Sequence, residues 1–162
     1  MSNNPAMPTE KVERGHRALR RGRRSIANQP YLITFTTHGR ASFFSDPRFA
    51  MAVAPSIVDA RTWRSSALLA WVLMPDHWHG LIELGENERL SDTIRRLKSN
   101  SARVGRLADP AIQQVWARGF HDRALRSDES LRTAARYLVM NPVRAGIVAR
   151  PGAYAFWDAA WI

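Results

Sequence analysis

Ala67-Leu-Leu-Ala-Trp-Val-Leu-Met-Pro-Asp-His-Trp-His-Gly-Leu-Ile-Glu-Leu84 holds two stretches of strand character divided by a turn signal. Ala67 to Met74 is a near-continuous apolar run of strand length, as expected of a central strand. Pro75-Asp76 turns the chain. His77 to Leu84 then reads as a second strand that hairpins back on the first. Alternate side chains of a strand share a face, so His77 and His79 project together, ~6.7 Å apart along the chain. Trp78 is expected on the opposite face, in the core.

Outward from this hairpin, Tyr31-Leu-Ile-Thr-Phe-Thr-Thr-His38 is β-rich and reads as a first strand. Asp46-Pro47 forms a helix cap and first-turn proline for a helix through Phe49, Val53, Ile57 and Ala60. Pro55 inside that pattern predicts a kink. After the polar loop Gly85 to Glu88, Ser91 is placed to cap a helix with Ile94, Leu97, Ser101 and Val104 inward. Gln114 to Leu125 resembles a fourth strand, and Ser127 or Asp128 caps a last helix through Leu131, Ala134, Ala135 and Leu138. This order predicts an α+β fold: a ferredoxin-like βαββαβ antiparallel sheet with helices on one face, plus a C-terminal helix carrying Tyr137.

The chain has 162 residues, about one domain, and its 45% apolar content with six Trp and six Phe supports a packed core. Without cysteine, neither disulfides nor thiolate metal sites are possible. No apolar run approaches the ~18 residues that span a bilayer, and no signal peptide is evident, so a soluble, cytoplasmic protein is expected. Net charge is +10, from 24 Lys+Arg against 14 Asp+Glu. Only Lys11 and Lys98 are lysines; the remaining cations are arginines, whose planar forks match phosphate oxygens. Residues 1–30 hold Lys11, Arg14, Arg17, Arg20, Arg21, Arg23 and Arg24 against Glu10 and Glu13. They carry few large apolar groups and read as a mobile basic arm, either a solvated leader or a strip that tracks a phosphate backbone.

Two constellations can carry chemistry. His77 and His79 can offer two neutral imidazoles to one cation, or pair with carboxylates or water at a sheet edge. Tyr137 and Asn141 stand four apart, on one face of a helix. Tyr137 can be a nucleophile or an amphipathic core residue. Asn141 can lend its carbonyl oxygen to a hard cation such as Mg²⁺, or cap a short helix begun by Pro142. Pro142 itself disfavours helical geometry at Asn141. Together they suit phosphodiester chemistry, in which a tyrosine stores the bond as an aryl phosphate that a later 3′-hydroxyl can reverse.

The segments Trp71-Val-Leu-Met-Pro-Asp-His-Trp-His-Gly80 and Tyr137-Leu-Val-Met-Asn-Pro-Val-Arg-Ala-Gly146 resemble the two signatures of the REP-associated tyrosine transposases, single-tyrosine members of the HUH endonucleases. The similarity also takes in Ile33-Thr-Phe-Thr-Thr37, Gly39-Arg40, Leu90 to Lys98, and Val115 to Arg126. It runs in order over residues 31–150, the expected catalytic domain. The resemblance implies that His77 and His79 bind a divalent metal, Mg²⁺ or Mn²⁺, with Asn141 as third ligand. It implies that Tyr137 is the nucleophile, and that the partner is single-stranded or hairpin DNA. It further implies a bacterial, nucleoid-associated enzyme, acting as monomer or homodimer with Tyr137 serving its own subunit or a partner's. Asp76 stands where many relatives have Asn, which adds a charge near the metal.

Arg95, Arg96, Lys98 and Arg103 on the third helix, Arg118, Arg123 and Arg126 around the fourth strand, Arg144, and Arg21, Arg23 and Arg24 of the arm are candidate DNA contacts; a solvated surface is the plainer account of each. His121-Asp122 offers either catalytic assistance or a structural hydrogen bond. Residues 151–162 form an aromatic tail that either stacks on unpaired bases or packs on its own core, and it departs from the polar-ended pattern of relatives. The expected function is thus a DNA endonuclease and strand transferase working through a 5′-phosphotyrosine. The alternatives are a non-cleaving binder of hairpin DNA or RNA, and a metal-dependent hydrolase using the histidines and a carboxylate.

Overall fold

The structure, a computed structural model, describes residues 25–126 and 130–161. Arg21, Arg23 and Arg24, and the expected caps Ser127 and Asp128, lie outside the described residues. Five strands form one antiparallel sheet: β1 (Pro30–Thr36), β2 (Ala67–Met74), β3 (His77–Glu83), β4 (His121–Ala124) and β5 (Trp157–Ala159). Their order is β4-β1-β3-β2-β5. The first four strands have the expected split βαββαβ arrangement, and β5 extends it.

Helix α1 (Pro47–Ile57), the single turn α2 (Ala60–Trp63) and the long α3 (Leu90–Ala108) separate the strands. Asp46 caps α1 as expected, its carboxylate accepting from the Arg48 amide at 2.9 Å. Pro55 sits inside α1 without ending it; the helix closes only at Ile57. The carbonyl that Pro55 cannot bond is that of Met51, a residue on the exposed side. The cap of α3 differs from expectation. The helix starts at Leu90, and the Leu90 amide donates to the hydroxyl of Ser25 at 3.0 Å, so the capping oxygen comes from the N-terminal segment rather than from Ser91.

Two apolar layers cover the two faces of the sheet. Tyr31, Ile33 and Phe35 of β1, Trp71 and Leu73 of β2, and Trp78 and Ile82 of β3 pack against Phe49, Val53 and Ile57 of α1 and Ile94 and Leu97 of α3. On the other face, Val72, Met74 and Leu81 meet Ala135, Leu138 and Val139 of α4 (Leu131–Val139). The side chain of Ser130 caps α4, accepting from the Thr133 amide, which replaces the expected Ser127 or Asp128.

The fourth strand is shorter than the sequence suggests. Trp116 makes only an isolated bridge to Thr37, and pairing resumes at His121. Gly119, at φ 76°, takes the left-handed conformation that an extended run excludes. Lys98 fills the gap, its Nζ donating to the carbonyls of Ala117 at 2.6 Å and Gly119 at 2.8 Å. The aromatic tail packs on the molecule: β5 pairs with β2, and the Tyr154 hydroxyl donates to the Leu73 carbonyl at 2.6 Å. Burial pushes that phenol up to about 12. Both sheet edges are therefore short strands, which limits edge-to-edge association. No described helix is long and apolar enough to cross a membrane.

Trp78 is fully buried and its ring lies back over Gly80, where an added Cβ would overlap the indole carbons. The indole also stacks on Phe35 at 5.0 Å, so it has little room to yield. Gly80→Ala is expected to cost about 3 kcal/mol. The melting temperature should fall by roughly 6–12 °C in a thermal unfolding measurement. An unchanged melting temperature would show that the indole is not held as described.

Candidate active site

The alternation of β3 separates its residues as expected, with Trp78 in the core and the two histidines on the face that α4 covers. The imidazoles of His77 and His79 lie 4.6 Å apart between centroids, with their planes at 88°. Each ring is held by its Nδ1 edge. His79 Nδ1 is 2.7 Å from the hydroxyl of Thr34, its cross-strand neighbour on β1. His77 Nδ1 is 2.5 Å from a carboxylate oxygen of Asp76. A carboxylate only accepts, so His77 carries its proton on Nδ1 and presents an unprotonated Nε2 when neutral. Among the described residues neither Nε2 has a protein partner.

Asp76 is itself fixed. Its other carboxylate oxygen accepts from Arg40 at 3.1 Å, and its backbone carbonyl accepts from the Thr37 amide at 2.9 Å. Burial would push the Asp76 carboxyl up, but the His77 hydrogen bond and charge, with Arg40, outweigh it and hold the group below its usual value. At His79 burial dominates, helped by the positive charges of His77 and Arg144, and lowers the imidazole to about 4. His79 is thus neutral at pH 7, the form that ligates a cation.

Tyr137 lies on the outer side of α4, 64% exposed, while Ala135, Leu138 and Val139 hold the helix to the sheet. Its ring is covered by the guanidinium of Arg144, whose carbon stands 3.7 Å from the ring centroid. Tyr137 and Asn141 do not share one helix. The chain breaks after Val139, and Asn141 opens the single turn α5 (Asn141–Arg144). The Asn141 amide nitrogen donates to the Leu138 carbonyl at 2.7 Å, and its oxygen accepts from Arg144 at 2.7 Å.

The donor set fits a divalent cation in part. Two oriented imidazoles with outward Nε2 atoms are good ligands, and Asp76 behind His77 is the carboxylate support that metal-bound histidines commonly have. Among the described residues no group of three or more His, Cys, Asp or Glu gathers around a common point. Any further ligands must therefore be an amide oxygen such as that of Asn141, solvent, or substrate.

The candidate DNA contacts fall into separate groups. A cleft of about 950 Å³ between α3, β1 and the segment before β4 is lined by Arg95, Lys98, Arg118, Phe120 and His121, and by Arg89, which sequence reasoning missed. Arg118 and Arg89 have no partner among the described residues; Arg95 bridges Asp92 at 3.1 Å. Lys98 is turned inward onto backbone carbonyls, and burial lowers it to about 8. Arg96 is tied to Glu88 at 2.7 Å and to the Thr62 carbonyl at 3.0 Å. Arg103 donates to Asn100 at 3.2 Å. Arg123 lies on β4 and Arg126 just beyond it, both exposed. Thr34 and Arg40 were not singled out from sequence. Alternation in β1, with Ile33 and Phe35 inward, was the signal that placed Thr34 beside the histidines.

Comparison with known proteins identifies the family and the fold. The family described as "Transposase IS200 like" matches residues 25–141, well over half the chain. A REP-associated tyrosine transposase of Escherichia coli (strain K12) is 24% identical over 132 residues, covering 81% of this chain and 76% of that protein. Among solved structures, the REP-associated tyrosine transposase bound to a REP hairpin superposes with a TM-score of 0.68 at 22% identity, over 83% of this chain and 79% of the other. A protein from Deinococcus radiodurans R1, solved as a candidate transposase, gives 0.54 at 23% identity, over 75% and 95%. The chain belongs to the IS200-like transposase family, and so to the transposase-type DNA enzymes.

Proposed function

We propose that this chain is a single-tyrosine, divalent-metal-dependent transposase that cuts and rejoins single-stranded DNA beside a hairpin, with Tyr137 as nucleophile. The observation that carries the reading is that the face of β3 bearing two oriented imidazoles is the face on which the Tyr137 helix packs. The phenol of Tyr137 is solvent-accessible and its hydroxyl has no partner among the described residues, so a strand can reach it.

In the reaction, the Tyr137 oxygen attacks phosphorus and its proton goes to solvent. A bond forms between phosphorus and the phenolic oxygen, and the bond from phosphorus to the 3′ oxygen breaks. The released 3′ oxygen takes up a proton, leaving a 3′-hydroxyl and a 5′-phosphotyrosine. Attack by a 3′-hydroxyl on that ester reverses the step and joins strands. His77 and His79, with Asn141 as candidate third ligand, would hold Mg²⁺ or Mn²⁺, which would neutralise charge developing on the phosphate. Thr34 and Asp76 hold the imidazoles in register for that task. Arg89, Arg95 and Arg118 provide cations at the cleft that can meet the phosphate backbone. The REP hairpin carried by the structural neighbour makes hairpin DNA the first substrate to try.

Incubation with a hairpin oligonucleotide carrying a single-stranded flank, with Mg²⁺ or Mn²⁺, should give an SDS-stable protein–DNA adduct. Tyr137→Phe should lower its formation roughly 10³-fold or more; an adduct that persists in this variant would remove Tyr137 from the nucleophile's role. His77→Ala and His79→Ala should each abolish the metal-dependent part. Tight binding with no adduct under either metal would instead support a non-cleaving hairpin-binding protein.

Binding itself should be steeply salt-dependent. Arg118→Ala and Arg95→Ala should each weaken hairpin binding and reduce the slope of log K against log salt by about 1. Fluorescence anisotropy across a salt series reads this directly. Unaltered slopes in both variants would place the DNA elsewhere.

A further inference from the structure

The end of the tyrosine helix is built around a missing hydrogen bond. Pro142 has no N–H, so the Leu138 carbonyl in the last turn of α4 loses its helical donor. The Asn141 side-chain amide replaces that donor at 2.7 Å. The chain then makes one further turn, in which the Arg144 amide bonds the Met140 carbonyl at 3.0 Å. Met140 keeps right-handed helical geometry between the two segments, so the chain brings Arg144 back beside Tyr137, its guanidinium carbon 3.7 Å from the ring centroid.

Three contacts hold it there. Nη1 donates to the Tyr137 carbonyl at 2.8 Å, Nη2 donates to the Asn141 side-chain oxygen at 2.7 Å, and the guanidinium carbon lies over the Tyr137 ring, 3.7 Å from its centroid. One contact would not restrain an exposed arginine, whose side chain has many rotamers. Three that use both prongs of the fork and its face do. The contacts join Tyr137 to Asn141, the candidate third ligand. The same positive charge is close enough to His79 to disfavour a proton there.

All three contacts are to neutral groups. A guanidinium binds a phosphate more strongly, because the anion accepts both prongs and carries the opposite charge. We propose that Arg144 is a positioning residue with two stations, resting on Tyr137 and Asn141 in the free protein and moving to the incoming phosphate, which frees the Asn141 oxygen for the cation. The inference rests on the transposase reading above. In the resting station it fixes the direction of the phenol and keeps a cation from the amide oxygen. In the second it brings the phosphate to the phenol that it has just left.

The test uses the full chain in two separate measurements. Mn²⁺ binding without DNA, followed by electron paramagnetic resonance, should be roughly fivefold tighter in Arg144→Gln than in wild type, since a like charge and a competing donor are gone. Arg144→Lys keeps the charge and should bind Mn²⁺ much as wild type does. With saturating hairpin oligonucleotide, single-turnover adduct formation should fall roughly tenfold or more in both variants, because neither side chain has the fork. A merely structural arginine would lower the melting temperature without tightening Mn²⁺ binding. Mn²⁺ binding no tighter in a folded Arg144→Gln overturns the inference. If that variant does not fold, a wild-type adduct rate in Arg144→Lys overturns it instead. Absence of any adduct in wild type would count against the transposase reading, while the Mn²⁺ titration still decides the resting station.

Discussion

Strand β3 is hydrogen-bonded on both sides, to β1 and β2, along its length. A strand so placed cannot slip by one residue without exchanging its faces. Slipping would bring Trp78 out of the core and drive two imidazoles into it, a loss no alternative packing here recovers. The indole is fully buried beneath α1 and α3, stacked on Phe35 and closed over Gly80. The position of the histidines is therefore set by the burial of the residue between them. The same period of two on β1 brings Thr34 to His79, and the turn at Pro75-Asp76 brings a carboxylate to His77.

Helix α4 adds the other half of the candidate site through an equally plain constraint. Ala135, Leu138 and Val139 are its buried residues, and they meet Val72, Met74 and Leu81 on the histidine face. Tyr137 falls between Ala135 and Leu138 in sequence but stays exposed, since its neighbours on the wheel have taken the apolar side. A phenol that is the larger apolar body of its helix yet left in solvent has not been used for packing. That is the difference between this tyrosine and Tyr154, whose hydroxyl is buried against the Leu73 carbonyl.

Local patterns in the sequence were enough for the elements that depend on their own residues. The β2–β3 hairpin, the Asp46-Pro47 start of α1 and the inward face of α3 at Ile94, Leu97 and Ser101 all follow from spacing and cap chemistry. What depends on distant residues was not legible. Ser25 caps a helix 65 positions away, and no periodicity in Leu90 to Ala108 announces it. Lys98 and Arg96 look like surface cations on a helical wheel, yet both are spent on backbone carbonyls across the fold. Arginine content gave the sign of the surface but not which guanidinia stay open, because that depends on the carbonyl or carboxylate each one meets. For the tail, stacking on bases and packing on the core were both open from sequence; its short β5 became visible only once the open edge of β2 was known.

Asp76 does for His77 what an amide in its place would not. An amide at this place could present either an oxygen or an N–H to the neighbouring ring, leaving the tautomer of His77 undetermined. The carboxylate accepts only, so it fixes the proton on Nδ1 and turns the Nε2 lone pair outward. It also strengthens the imidazole as an electron donor to any cation bound there. An extra negative charge would otherwise be a liability in a protein that must admit phosphates, but Arg40 sits against the second oxygen at 3.1 Å. Arg40 achieves this from a left-handed backbone conformation, φ 59°, which costs an arginine about 1 kcal/mol. The turn at His38 to Arg40 is thus held in an unfavourable shape that sets a guanidinium against the Asp76 carboxylate. Thr34 holds the Nδ1 edge of His79 without any charge, so the two imidazoles differ in strength as ligands.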